Sequence, residues 1–185
     1  MKANIKITSA NYIKLLFCLF VLMGVSSCEQ EVKDKEISRE PVISTFYLIR
    51  HAEKDRSDPN NIDPELIQKG LDRAIRWAEV FDPIPLDAIY STNYERTLMT
   101  AAPTSVKKNI DIQYYDPRAL DIDAFKADNE GKNVLIVGHS NTTPDFTNKI
   151  LGFEKYDDMY DDDNASLFIV RVIDSVATDI RLKIN

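Results

Sequence analysis

Five short apolar runs punctuate the second part of the chain: Thr45–Ile49, Leu86–Tyr90, Ile110–Tyr114, Val134–Val137 and Leu167–Val172. Between them lie segments with helical spacing of apolar positions. Strands alternating with helices predict an α/β fold, a three-layer sandwich whose mostly parallel central sheet is flanked by helices. In the first intervening segment, Leu66, Leu71, Ala74, Ile75 and Ala78 fall on one helical face. Asp63-Pro64-Glu65 ahead of them offers a cap, a first-turn proline and an acid, predicting a helix over Pro64–Phe81. Gly70 inside it weakens the helix by roughly 1 kcal/mol, which predicts close contact with a neighbouring backbone. Ile110–Tyr114 alternates apolar and polar positions as an edge strand does, and Asp179–Ile184 alternates too, predicting an antiparallel edge.

The N-terminal pattern is different. Lys2, Lys6 and Lys14 precede an apolar run of 11 residues, Leu15–Val25, which gives way to Ser26-Ser27-Cys28. The run is too short for a membrane span, which needs about 20 apolar residues, and it has the organisation of an export signal. Val25-Ser26-Ser27-Cys28 resembles the lipobox of bacterial lipoproteins, which implies a signal peptide over residues 1–27 and a lipidated Cys28. Residues 28–41 are charged and poor in large apolar side chains, so they read as a solvated tether, and residues 42–185 as the folded domain. The expected location is the bacterial cell envelope, with the membrane engaged through the lipid alone.

Composition narrows the chemistry. The chain has two cysteines, Cys18 and Cys28, and both belong to the leader or its cleavage point. The domain therefore has no thiol for a disulfide, a nucleophile or a zinc site. Removing residues 1–27 takes away three lysines and no acid, leaving 20 basic against 30 acidic residues and a net charge of −10. Such a surface argues against nucleic acid as a partner. A small phosphorylated substrate needs only a few well-placed cations.

The chain has two histidines, and each directly follows an apolar strand: His51 after Phe46-Tyr47-Leu48-Ile49-Arg50, and His139 after Val134-Leu135-Ile136-Val137-Gly138. Ligands of open α/β sheets bind beyond the carboxyl ends of the strands, so neighbouring strands would bring both imidazoles to one crevice. Arg50 adjoins the first histidine. Arg96 follows the second strand, where Thr92 and Glu95 have capping-box spacing that predicts a helix from about Asn93. A helix N-terminus with an adjacent guanidinium favours an anion, phosphate above all. Thr143-Pro144-Asp145 repeats the cap, proline and acid pattern after His139, and Gly152 stops that helix. Asn141 reads either as a substrate contact or as an Asx-turn residue.

Taken together, LIRHAEK, DPELIQKGLDRA, IYSTNYERTLMTA and VLIVGHSNTTP, in that order from Phe46 to Gly152, resemble the histidine phosphatase superfamily, also called the phosphoglycerate mutase-like family. The resemblance implies that His51 accepts the phosphoryl group, that Arg50, Arg96 and His139 surround it, and that no metal or other cofactor takes part. It implies phosphohydrolase activity on a small phosphate ester or phosphoramidate. The short chain has no evident lid insertion of the kind mutase chemistry uses to exclude water. Two departures stand out. Ala52 occupies the position where the family usually has glycine, which predicts an ordinary backbone angle there. No acid after the third strand has the family context of a proton donor, and Asp116, Asp121 and Asp123 are the candidates. Two other readings compete: a phospho-ligand-binding lipoprotein that keeps the pocket without turnover, and an esterase using Ser140 of Gly138-His139-Ser140-Asn141-Thr142. The second lacks a histidine after the serine, which the usual order of such triads requires.

Overall fold

The computed structural model describes residues 39–184. The expected signal segment, Cys28 and most of the tether lie outside the described residues. Residues from Glu40 onward form one compact unit. Six strands, β1 (Ile43–Arg50), β2 (Ala88–Ser91), β3 (Ile112–Tyr114), β4 (Asn133–Gly138), β5 (Ser166–Ile173) and β6 (Val176–Lys183), alternate with four helices. These are α1 (Gln68–Val80), α2 (Glu95–Lys108), α3 (Ile122–Asp128) and α4 (Thr142–Leu151).

The strands make one sheet in the order β3-β2-β4-β1-β5-β6. β1 through β4 pair in parallel, and β5 and β6 return as an antiparallel hairpin at one edge. β3 is the opposite edge, as its alternation of apolar and polar positions predicts. The central strands read as continuous apolar runs because both faces of the sheet are covered. On one face Phe46, Leu48, Val134, Ile136, Phe168 and Val170 pack against Phe125 of α3 and Phe146, Ile150 and Leu151 of α4. On the other, Ile49, Ile89, Leu135, Val137 and Leu167 meet Trp77 of α1, Phe81 just beyond it and Ala101 of α2. Three layers follow, as expected from the alternation of strands and helices. Among the described residues no helix is long and apolar enough to cross a membrane.

Helix starts differ from the expectation. α1 begins at Gln68 rather than Pro64, because residues 63–67 are held in other ways. Asp63 is turned away to the neighbouring α2, Leu66 bridges Lys54, and the Ile67 N–H donates to Glu53 O at 3.0 Å. Gly70 does touch a backbone, since a Cβ placed on it would lie 2.2 Å from Glu53 O. α2 starts at Glu95 without a side-chain cap, and Thr92 is used elsewhere. α4 starts at Thr142, so Thr143 is inside it, and its hydroxyl donates to Ile49 O at 3.3 Å instead of capping. Gly152 ends that helix in the left-handed conformation at φ 82°.

Candidate active site

Register places the two histidines side by side. Arg50 is the partner of Gly138 in the parallel β1–β4 ladder, and the His51 N–H continues the ladder to Gly138 O at 2.9 Å. β2 flanks β4 on its other side with Ser91 opposite Val137, so Thr92 emerges beside His139. The His51 and His139 ring centroids are 5.5 Å apart. They share a crevice of about 740 Å³ with Arg50, Lys54, Thr92, Tyr94, Arg96, Asp116, Ser140 and Asn141 among its lining. Gly138 is needed for this close convergence: a Cβ there would come within 2.9 Å of the Thr142 and Thr143 hydroxyls.

His51 is 3% exposed. Its Nδ1 lies 2.8 Å from the Ala52 carbonyl oxygen, which can only accept, so Nδ1 carries the proton and Nε2 is left with a free lone pair. Burial, with the nearby charges of Arg50, His139 and Arg96, lowers its pKa to about 3 against the opposing hydrogen bond to Ala52 O. The ring is therefore neutral at pH 7. Side chains hold the backbone around it at two points. Asn164 donates to His51 O at 2.8 Å, the Ala52 N–H donates to the Thr100 hydroxyl at 2.9 Å, and Thr100 in turn donates to Arg96 O at 2.7 Å. Ala52 is fully buried and does not have positive φ, so alanine fits where the family usually has glycine.

His139 is oriented by a chain of hydroxyls. Arg96 Nη2 approaches Nδ1 at 3.4 Å as donor, which leaves Nε2 to donate to Thr92 Oγ1 at 2.9 Å. Thr92 passes its own proton to Thr97 Oγ1 at 3.1 Å, and Thr97 donates to Thr92 O at 2.8 Å. Burial first, then Arg96, Arg50 and Lys54, lower the His139 pKa to about 4.

Both arginines are anchored and both have a donor to spare. Arg50, 2% exposed, donates through Nη1 to the carbonyls of Tyr160 at 2.9 Å and Asp161 at 3.0 Å, and through Nη2 to the Asp161 carboxylate at 3.1 Å. Arg96 pairs with Asp63 at 2.9 Å and lies over the Tyr94 ring, its guanidinium carbon 4.4 Å from the ring centre. Asp63 also accepts the Glu95 N–H at the start of α2. The Nε atoms of Arg50 and Arg96 are buried without a partner.

Arg50, His51, Arg96, His139 and Asn141, expected from the sequence, thus converge on one crevice. The three candidate acids separate. Asp116, just after β3, lines the crevice and accepts only the Arg118 N–H. Asp121 caps α3, and Asp123 pairs with Lys126 on the surface. Ser140 lines the crevice, but no hydrogen bond joins its hydroxyl to either histidine, so a serine triad is not assembled. Sequence reasoning missed Glu53, Lys54, Asp63, Thr92 as a histidine partner, Asp161 and Asn164. Glu53 has a signal in retrospect: Gly70 and Arg73 are one turn apart, and Arg73 grips Glu53 with Nε and Nη2 at 2.9 Å each. Among the described residues no group of three or more His, Cys, Asp or Glu is placed to hold a metal ion.

The model of the histidine phosphatase superfamily (branch 1) matches residues 46–119. None of the curated proteins matches the chain. Among solved structures, a mycobacterial glucosyl-3-phosphoglycerate phosphatase in complex with VO3 is similar at a TM-score of 0.60 and 12% identity, over 77% of this chain and 100% of its own. The protein histidine phosphatase SixA complexed with tungstate is similar at 0.59 and 13%, over 75% and 96%. YhfR of Bacillus stearothermophilus is similar at 0.57 and 19%, over 72% and 94%. At these identities the structures establish a shared fold.

Proposed function

We infer from its place in the histidine phosphatase superfamily, to which the chain belongs, that it is a phosphohydrolase working through a phosphohistidine on His51. Its substrates are small phosphate esters or phosphoramidates. One observation carries the reading: His51 Nε2 is an unprotonated imidazole nitrogen, its ring locked by the bond to Ala52 O, inside a crevice ringed by Arg50, Arg96 and His139. The neighbours that hold VO3 and tungstate support reading such a crevice as an oxyanion site.

The two steps follow from the donors available. The Nε2 lone pair forms a bond to phosphorus as the bond to the leaving oxygen or nitrogen breaks, its electron pair leaving with that atom. The Arg50 and Arg96 guanidiniums and the N-terminal turn of α4 take the equatorial oxygens. A bound dianion also offsets the cations that depress the His139 pKa, favouring its protonated, donating form. Asp116, on the crevice wall and without an ion-pair partner among the described residues, is the acid that this reading assigns to protonate the leaving atom. Water then attacks phosphorus, the N–P pair returns to Nε2, and a water proton passes to Asp116, restoring both groups.

The test is hydrolysis of p-nitrophenyl phosphate by the wild type and by His51→Ala. The reading requires turnover in the first and its loss, by at least about 10³-fold, in the second, as when a covalent nucleophile is removed. Equal activity in both proteins refutes it.

A further inference from the structure

Lys54 enters the crevice from a position that periodicity did not single out. Its backbone is held by the bridge to Leu66, which ties the segment after His51 to the segment before α1. The side chain lines both the His51 crevice and an adjoining cavity of about 470 Å³. The surrounding guanidiniums are ion-paired: Arg50 and Arg56 share the Asp161 carboxylate, and Arg96 holds Asp63. Lys54 is half-buried and its ammonium makes no hydrogen bond or ion pair among the described residues. Its charge is felt by His139, and it feels the repulsion of Arg96, Arg56 and Arg50 against a weaker attraction to Asp161, whose carboxylate is taken by Arg50 and Arg56. Burial, followed by those guanidiniums, lowers its pKa.

An ammonium partly withdrawn from water, crowded by like charge and lacking a counter-ion of its own is an unfavourable arrangement that a bound anion relieves. Arg50 and Arg96 each have an aspartate, so Lys54 supplies cationic charge that no paired carboxylate offsets. We propose that Lys54 Nζ is an anion ligand of this crevice and contacts the transferred phosphoryl group together with Arg50 and Arg96. That the bound group is transferred rests on the phosphatase reading; that an anion binds rests on the placement of Lys54 in the crevice and on the charge around it. Lys54 thereby sets affinity for the phosphoryl group, whereas His51 carries the covalent step.

The experiment is calorimetric titration of the whole protein with inorganic phosphate, comparing wild type, Lys54→Met and Lys54→Arg, beside p-nitrophenyl phosphate kinetics. Losing one charge-assisted contact weakens phosphate binding by about ten- to a hundredfold in Lys54→Met, and KM rises in parallel. Lys54→Arg restores most of the affinity, and the thermal midpoints of all three proteins agree, which a merely structural lysine would not produce. Unchanged phosphate affinity in a folded Lys54→Met overturns the assignment while leaving His51 chemistry untouched. Loss of phosphate binding in Lys54→Met, in a protein whose His51→Ala variant hydrolyses as fast as wild type, supports the anion site and refutes the phosphohistidine reading of His51.

Discussion

The role proposed for His51, phosphoryl acceptor, requires an imidazole that is deprotonated, aimed and surrounded by positive charge, and each of these properties has a separate origin. Burial keeps the ring neutral, Ala52 O selects the tautomer, and Arg50 and Arg96 bring the charge. The identities of these residues were legible because each sits at the end of an apolar strand or in the first turn of a helix. Glu53, Asp63 and Asn164 were not, since each acts through a contact more than a dozen residues away along the chain. Asp63 illustrates the difficulty: Asp-Pro is a sound helix-start signal, yet the carboxylate serves Glu95 and Arg96 of another helix. The candidate acid was only partly legible for the same reason, because three aspartates follow β3 and only the fold brings Asp116 to the crevice. Replacing Asp116 with Asn should lower kcat by about 10²-fold on an alkyl phosphate, whose leaving oxygen needs a proton. On p-nitrophenyl phosphate, whose phenolate leaves unaided, the loss should stay within a few-fold. Equal losses on the two substrates would remove Asp116 from the role.

At the scale of elements, α1 serves the site without touching it. Gly70 lets the helix press against Glu53 O, and Arg73, one turn on, clamps the Glu53 carboxylate, so α1 fixes the strand exit two residues beyond His51. The close approach was anticipated from a glycine inside a helical pattern; its target was not, since periodicity says which face is buried and not what lies against it. Gly70→Ala puts a methyl carbon 2.2 Å from a carbonyl oxygen, so backbone must move. A destabilisation of roughly 1–3 kcal/mol is expected, read as a lower thermal midpoint, together with reduced kcat because the displaced segment carries His51. A variant as stable and active as wild type would show that the contact is not tight. Capping signals predicted α2 and α4 to within two residues yet assigned the wrong role to Thr92 and Thr143, whose hydroxyls serve His139 and Ile49. A threonine before a helix has several acceptors within reach, and the sequence does not rank them.

For the whole molecule, the mostly parallel sheet and the three-layer arrangement followed from apolar runs alternating with helical spacing, and the antiparallel edge strand β6 from its alternation at the chain's end, whereas the strand order came only with the fold. The charge state of the site couples to stability. The histidines have native pKa values of about 3 and about 4 against an ordinary 6.5. Above pH 6.5 native and unfolded forms are both neutral at these rings. As pH falls below that, the unfolded chain gains protons that the native protein refuses, so stability declines. By pH 5 the cost is on the order of 1–2 kcal/mol per histidine, before most carboxylates begin to titrate. Urea midpoints measured without phosphate between pH 7 and pH 5 should drop accordingly; a constant midpoint would contradict the depressed values. The most direct test of the account is to quench turnover of a phosphorylated substrate in base and map the attached phosphate by mass spectrometry. The account predicts an acid-labile, base-stable phosphate on His51, absent from His51→Ala. Phosphate on Ser140 or His139, or steady hydrolysis with no phosphoenzyme trapped in either protein, would contradict it.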